Sequence, residues 1–161
     1  MSAEDFPTIG DAAPAFSMTT DGGGSVALED LKGKTVVLYF YPKDSTSGCT
    51  KQAVGFRDLH QAFTDAGAVI IGVSKDSIKS HDNFKTKQEL PFTLGSDPEG
   101  AVCEAYGVWK EKSMYGKKYM GIERSTFVID GAGVVRHVVR KVKVNGHVEG
   151  ILDVVQGLPA A

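Results

Sequence analysis

The chain has 161 residues, of which 42% are hydrophobic and 24% charged, and its formal net charge is −2. This length can bury a substantial core, so we expect one domain over residues 1–161. The charge balance argues against nucleic acid as the main partner. No apolar run is long enough to span a membrane, and the polar start MSAEDFPTIGD lacks the sections of a signal peptide. We therefore expect a cytoplasmic protein with no membrane partner.

The first elements in chain order form a hairpin and a short helical turn. Residues 16–20 and 26–28 are separated by Asp-Gly-Gly-Gly-Ser, a strong turn signal, which predicts an N-terminal β-hairpin. Residues 28–33 then favour a single helical turn that Gly33 ends.

A strand, a helix and a second strand follow. Residues 35–41 (TVVLYFY) form a continuous apolar run, which is typical of a strand buried on both faces of a sheet. After the turn PKDSTSGC, apolar residues recur at helical spacing as far as Phe63, and Gly67 fits the helix end. Residues 68–73 (AVIIGV) are a second apolar run. This order predicts a right-handed βαβ crossover between parallel strands.

Cys49 lies at the start of the helix in this crossover. If Thr46 is the N-cap, Cys49 is the third helical residue, within the partial positive charge of the helix N-terminus. Such a position favours the thiolate, the nucleophilic form of cysteine. A buried, inert cysteine is the alternative, but the neighbours Ser47 and Thr50 are small and polar.

Two helices and a short strand come next. Residues 77–89 are predicted to form a helix with Asp76 as its cap, and residues 92–94 a short strand. The sequence Ser-Asp-Pro-Glu predicts another helix, capped by Asp97 and extending to Tyr106.

The last third of the chain combines strands with a final helix. The lysine-rich residues 109–119 are predicted to be a loop or an irregular strand. Residues 124–130 and 134–144 are expected to pair as a hairpin, and residues 147–158 to form the last helix. The whole order predicts an α/β fold in which helices flank a mixed central sheet.

The other cysteine and the histidines carry little signal. Cys103 borders the apolar face of a predicted helix, which favours a small core residue. Two cysteines make no disulfide framework, and the chain contains no CxxC. The four histidines show no metal-ligand spacing with either cysteine, so we expect neither a metal nor a cofactor.

Pro42, Thr46 and Cys49 stand as P-x-x-x-T-x-x-C directly after the central strand. This pattern, within YFYPKDSTSGCT, resembles the peroxidatic motif of the peroxiredoxins. YFYPKD and GIERSTFVID further resemble the bacterioferritin comigratory protein, or Q-type, group. The resemblance implies a thioredoxin-like fold, a monomer, and a thiol-dependent peroxidase that reduces hydrogen peroxide and organic hydroperoxides.

The resemblance also implies roles for four residues. Cys49 would attack a peroxide oxygen and become a sulfenic acid. Arg124 would supply positive charge to the thiolate and peroxide, although it also fits an ordinary arginine at a strand start. Thr46 would bond to the peroxide or serve as a plain N-cap. Pro42 would shield the sulfur from water or simply end the strand.

The sequence departs from the family pattern where a resolving cysteine is expected. Those positions hold Val54 and Lys85, and Ser47 replaces a common proline. We therefore favour a one-cysteine cycle in which an external thiol, such as glutathione, glutaredoxin or thioredoxin, reduces the sulfenic acid. The alternative is a disulfide between Cys49 and Cys103.

Three other functional classes stay open. A peroxide sensor or relay would oxidise a partner protein through Cys49 with little steady-state turnover. A thioredoxin-type disulfide reductase is disfavoured because CxxC is absent. In a pure binding module, replacement of Cys49 by serine would leave function unchanged.

Overall fold

The computed structural model describes residues 6–158, which form a seven-stranded sheet, a separate two-stranded sheet and five α-helices among those residues. The strands are β1 (Ser17–Thr20), β2 (Ser25–Ala27), β3 (Thr35–Phe40), β4 (Ala68–Ser74), β5 (Thr93–Ser96), β6 (Trp109–Met114), β7 (Lys117–Ile122), β8 (Ser125–Ile129) and β9 (Val135–Arg140). The helices are α1 (Ser47–Asp58), α2 (His60–Asp65), α3 (Ile78–Gln88), α4 (Ala101–Ala105) and α5 (His147–Gln156). None of these helices has the length and apolar character needed to cross a membrane.

The main sheet is mixed. Its strand order is β2-β1-β5-β4-β3-β8-β9, and β4 runs parallel to both of its neighbours, β3 and β5. All other neighbouring pairs in the sheet are antiparallel. The predicted α/β fold is therefore confirmed, including the mixed sheet with helices around it and the N-terminal β1–β2 hairpin.

β3 lies in the interior of the sheet and every one of its residues is buried. Its side chains alternate between two hydrophobic clusters, one on each face of the sheet. Val37 and Tyr39 join the cluster that contains Cys49, whereas Leu38 and Phe40 join the other. The continuous apolar run seen in the sequence is thus explained by burial on both faces.

The predicted βαβ crossover is present, but its helix is divided. The sequence indicated one helix up to Gly67, whereas the chain breaks at Leu59, whose φ of −103° and ψ of 8° are not helical. On either side of this break Phe56 and Phe63 are buried in the same cluster, with ring centroids 5.7 Å apart. Both phenylalanines therefore still line one apolar face, which is the periodicity that the sequence shows.

Two predicted helix caps were wrong. Ser77, not Asp76, caps α3, and its hydroxyl accepts a hydrogen bond from the Ser80 amide. The second helix begins later than predicted, because Gly100 occupies the N-cap position of α4. Asp97 instead reaches forward over the turn, and its carboxylate accepts the amide of Cys103 at 2.9 Å.

The lysine-rich segment is a regular hairpin rather than a loop or an irregular strand. β6 and β7 pair in register from Trp109 with Ile122 to Met114 with Lys117. Tyr115 and Gly116 connect them, and their positive φ values of 52° and 77° are those of a type I′ turn. The alternation of apolar and polar residues that marks a half-buried strand is weak in this hairpin, because much of the hairpin is exposed.

The C-terminal predictions were confirmed with shorter bounds. β8 and β9 pair as the expected hairpin, which a register shift interrupts between Val128 and Ile129. β9 ends at Arg140, before the predicted limit. α5 forms where the final helix was predicted.

Candidate functional site

Cys49 lies in the first turn of α1, just beyond the carboxyl end of β3. Thr46 occupies the N-cap position, so Cys49 is the third helical residue, as the sequence predicted. The first backbone bond of the helix joins the Thr50 amide to the Thr46 carbonyl at 2.8 Å. The amides of residues 47–49 therefore precede the helical ladder and carry the partial positive charge of the helix end. Cys49 itself is only 1% exposed.

The structure brings Arg124 to Cys49 from the distant start of β8. Its Nη2 donates to Cys49 Sγ at 3.3 Å, and its Nη1 donates to Gln52 Oε1 at 2.7 Å. β8 is the antiparallel neighbour of β3, which places this arginine beside the start of α1. Gly48 leaves room for it, since an added Cβ would lie 3.1 Å from Nη2.

Gln52 is a site residue that the sequence interpretation missed. It is buried one helical turn after Cys49 and orients the same guanidinium. The i, i+3 spacing from Cys49 was the available signal, because residues so spaced share a helix face.

Thr46 and Pro42 lie on the exposed side of the turn that leads into α1. The Thr46 hydroxyl forms no capping bond and instead donates to the Lys43 carbonyl at 2.9 Å. With its proton committed in this way, the hydroxyl oxygen retains acceptor capacity. Pro42 directly follows the buried Tyr41. No described contact defines its relation to the sulfur, so its shielding role stays a prediction.

A buried hydrogen-bond network centred on Asp44 stabilises the turn between β3 and α1. The Asp44 carboxylate accepts the Tyr41 hydroxyl at 2.5 Å and the Ser80 hydroxyl at 2.8 Å, and it lies 2.7 Å from His81 Nδ1. The other ring nitrogen of His81 lies 3.0 Å from the Gly95 carbonyl. Because both ring nitrogens face acceptors, the geometry favours the imidazolium form. Burial acts to lower the pKa of His81, but the hydrogen bond and charge of Asp44 outweigh it and raise the pKa above its ordinary value.

Asp76 extends the network to the carboxyl ends of β4 and β5. Its carboxylate accepts the Asp44 amide at 2.8 Å and the Ser74 hydroxyl at 2.7 Å, and its carbonyl accepts the Ser96 hydroxyl at 2.6 Å. Within residues 6–158, Asp44, Asp76 and His81 are the group of acidic and histidine side chains whose possible metal-ligand atoms lie within 4.8 Å of one another. Their polar atoms already bond to protein groups, so the donor set fits an internal network better than a metal centre.

Tyr39 and His147 form the buried surroundings of the site. Tyr39 stacks on Phe56 with ring centroids 4.7 Å apart, and its hydroxyl has no hydrogen-bond partner in the described part of the chain. Burial, followed by the charge of Cys49, raises the pKa of Tyr39 well above its ordinary value. Burial and then the charge of Arg124 lower the pKa of His147 to about 4. Both side chains are therefore neutral near pH 7.

Lys112 is the hairpin residue whose pKa responds to the charges of the site. It is half-buried in the middle of β6, as is Lys110 earlier in the same strand. Burial and then the charge of Arg124 lower the pKa of Lys112, while the charges of Glu123 and Cys49 oppose that shift. The hairpin therefore places an amine within electrostatic range of the sulfur, which no pattern in the sequence indicated.

Cys103 is not part of this arrangement. It is buried in the cluster on the opposite face of the sheet from Cys49. Burial and then the hydrogen bond to Asp97 raise the pKa of the Cys103 thiol. Its surroundings are those of a small core residue, as expected from the sequence.

Comparison with known proteins gives a consistent result. The profile of the AhpC/TSA family matches residues 9–138. Peroxiredoxin Bcp of Bacillus subtilis is 51% identical over 150 residues, which cover 93% of this chain and 96% of that protein. Peroxiredoxin Bcp of Escherichia coli K12 is 44% identical over 144 residues, covering 89% and 92%.

Solved structures agree with these sequence relatives. One is the bacterioferritin comigratory protein of Xanthomonas campestris, described in terms of its alkyl peroxide reduction activity and of a trapped intermediate. It matches with a TM-score of 0.84 and 48% identity, covering 88% of this chain and 90% of that one. A structure of Xanthomonas campestris peroxiredoxin Q matches with a TM-score of 0.86 and 45% identity, covering 96% and 98%.

Proposed function

The chain belongs to the AhpC/TSA family and, within it, to the peroxiredoxins, and from that premise we propose that Cys49 is the peroxidatic cysteine of a thiol-dependent peroxidase. Its substrates are hydrogen peroxide and organic hydroperoxides. The alkyl peroxide activity described for the Xanthomonas campestris relative supports the organic substrates.

The contact between Arg124 and Cys49 is the observation on which this function rests. A guanidinium 3.3 Å from a sulfur at a helix N-terminus stabilises negative charge on that sulfur. In the proposed reaction, the same cation also stabilises the charge that develops on the peroxide as its O–O bond breaks. A cysteine that only fills space in the core does not require a charged donor beside its sulfur.

The proposed first step transfers one oxygen to the enzyme. The Cys49 thiolate attacks the nearer peroxide oxygen, the O–O bond breaks, and the leaving oxygen takes a proton from solvent to depart as water or an alcohol. Arg124 donates hydrogen bonds to the developing charge. Thr46 accepts a hydrogen bond from the peroxide O–H, since its own proton is committed to Lys43. Pro42 limits the access of water to the sulfur.

We propose that an external thiol, namely glutathione, glutaredoxin or thioredoxin, completes the cycle. The position five residues after Cys49 holds Val54, and Lys85 on α3 forms an ion pair with Asp21 at 2.7 Å. Cys103 lies on the other face of the sheet, which disfavours a disulfide with Cys49.

Peroxide consumption by the wild type, Cys49→Ser and Cys103→Ser tests this function. With dithiothreitol as the reductant, we expect turnover by the wild type and Cys103→Ser and none by Cys49→Ser. Intact mass after one equivalent of peroxide should show the gain of one oxygen. A loss of two hydrogens would instead establish the Cys49–Cys103 disulfide. A mixed disulfide with a partner protein, without turnover of small thiols, would indicate a sensor or relay.

Organisation and location complete the proposal. We infer one domain over residues 1–161, a monomer in solution and a cytoplasmic location. A single cooperative unfolding transition, a solution mass near 17.2 kDa and cell fractionation test these three statements in turn.

A further inference from the structure

The β6–β7 hairpin presents two chemically different faces. Side chains alternate along each strand, and residues directly opposite each other share a face. Because Lys112 pairs with Tyr119 and Met114 pairs with Lys117, these four residues lie on one face together with Lys110. We call this surface the basic hairpin face. The other face carries Glu111 and Lys118, which form an ion pair at 3.6 Å.

The β6–β7 hairpin is joined to the candidate site through Arg124, which follows the last residue of β7 by two positions and contacts Cys49 Sγ at 3.3 Å. Trp109 and Ile122, on the other face of the hairpin, pack into the cluster on the Phe40 side of the sheet. The basic hairpin face therefore points away from that cluster. The charges of Arg124 and Cys49 act on Lys112, which is consistent with this orientation.

The composition of this face indicates the chemistry of a partner. Three lysines lie on it, and the single acidic residue of the two strands, Glu111, lies on the opposite face. Glu123, directly after β7, is the acid whose charge raises the pKa of Lys112. Met114 and Tyr119 are 56% and 44% exposed among the lysines. A matching surface would be apolar at its centre and acidic at its rim.

We propose that the basic hairpin face is the docking surface for a small dithiol reductant protein with an acidic surface. This inference rests on the proposed function, because it supplies the thiol that Cys49 lacks within its own chain. Positive charge beside the sulfur would steer such a partner to the sulfenic acid and speed its association.

The docked partner would carry out a two-electron reduction of the Cys49 sulfenic acid. A thiolate of the partner attacks the sulfur of the Cys49 sulfenic acid, the S–O bond breaks, and hydroxide takes a proton to leave as water. The second thiol of the partner then loses its proton and attacks the mixed disulfide, which releases Cys49 as thiolate. The partner is oxidised to a disulfide, and the sulfur of Cys49 is reduced.

Charge reversal at two adjacent lysines tests the docking surface. Lys117 lies on the basic hairpin face and Lys118 on the opposite face, and both are exposed. With bacterial thioredoxin as the dithiol protein, we expect Lys117→Glu to lower kcat/KM for thioredoxin about 5- to 10-fold at low salt. Lys118→Glu should change it less than about two-fold, and salt should weaken the wild-type reaction more than that of Lys117→Glu.

Dithiothreitol separates this inference from the proposed function. Both variants should match the wild type with this small neutral thiol, and circular dichroism should confirm that both are folded. Absence of wild-type turnover with dithiothreitol would overturn the proposed function. Equal effects of the two variants with thioredoxin, or a change of oligomeric state on reversal of Lys117, would overturn the docking surface alone. So would turnover with glutathione but none with thioredoxin.

Discussion

Arg124 divides its guanidinium between two acceptors, the sulfur of Cys49 and the buried amide of Gln52. The two bonds use different nitrogens of one planar group, so the position of the charge is fixed by Gln52 as well as by the backbone. A lysine cannot reproduce this fork, because its ammonium is a single point charge on a flexible stem.

We expect Arg124→Lys to slow the oxidation of Cys49 by hydrogen peroxide by roughly 10- to 100-fold, since one preorganised donor is lost from the site of developing charge. Stopped-flow measurement of single-turnover oxidation tests this. Arg136→Lys is the matched control, because Arg136 is exposed and pairs with Asp130. An unchanged oxidation rate in Arg124→Lys would show that the guanidinium of Arg124 does not contribute to peroxide reduction.

Asp44 has a structural role beneath the same turn. Its side chain is 2% exposed and balances the charge of His81. We expect Asp44→Asn to lower the free energy of unfolding by about 3–5 kcal/mol, because it leaves a buried partner without its counter-charge. Asp58→Asn, in an exposed pair with Arg57, should change it by less than about 1 kcal/mol. Urea denaturation of both variants makes the comparison, and equal effects would contradict the buried pairing.

At the scale of elements, three helical glycines have different surroundings. A Cβ at Gly48 would lie 3.1 Å from the Arg124 guanidinium, and one at Gly55 would lie 2.9 Å from Val148. At Gly150 nothing lies within 4 Å. Alanine at these positions therefore adds the same methyl group to a helix in three different settings.

We expect Gly150→Ala to stabilise the protein by about 0.5–1 kcal/mol through helix propensity, with unchanged activity. Gly55→Ala should destabilise by about 1–2 kcal/mol, since the buried Val148 must move. Gly48→Ala should leave stability within about 1 kcal/mol but slow peroxide reduction, because it displaces Arg124 from the sulfur. Thermal unfolding and peroxidase rates distinguish the three, and full activity in Gly48→Ala would show that the arginine position is not critical.

Elements with a strong local pattern could be predicted from the sequence. β3, β4 and the position of Cys49 followed from apolar runs and one turn, because burial on both faces leaves a continuous signal. The β6–β7 hairpin did not, since its exposed strands have little apolar alternation. Asp97 was assigned to a cap one turn too early because the sequence cannot show how far a side chain reaches. Gln52 and the Asp44 network depend on contacts between distant segments, which no local pattern records.

For the whole molecule, two buried histidines oppose each other in their dependence on pH. The folded pKa of His147 is lowered from 6.5 to about 4, so the unfolded chain takes up a proton first as the pH falls. His147 thus lowers stability as the pH drops from 6.5 towards 4. The folded pKa of His81 is raised, so its contribution is complete below the unfolded value and is lost as the pH rises through the folded value.

We expect His147→Gln to reduce the loss of unfolding free energy between pH 7 and 4 by about 3 kcal/mol relative to the wild type. Urea denaturation at several pH values measures the difference, in which the titration of carboxylates common to both proteins cancels. His60→Gln serves as the control, because His60 lies outside the surroundings of both His147 and His81. Parallel stability curves for the wild type and His147→Gln would show that His147 is not held neutral by the fold.

The burial of Cys49 separates the two halves of the proposed cycle by the size of the reacting molecule. Cys49 is 1% exposed, so a thiol carried by a protein cannot reach its sulfur while the first turn of α1 is in place, whereas a peroxide is a far smaller molecule. In the proposed cycle, oxidation would proceed with the first turn of α1 in place, and reduction by a protein thiol would require that turn to unwind. The lifetime of the sulfenic acid is then set by how often the helix start opens. At saturating reductant, the maximum turnover rate becomes a property of α1 rather than of the arriving thiol.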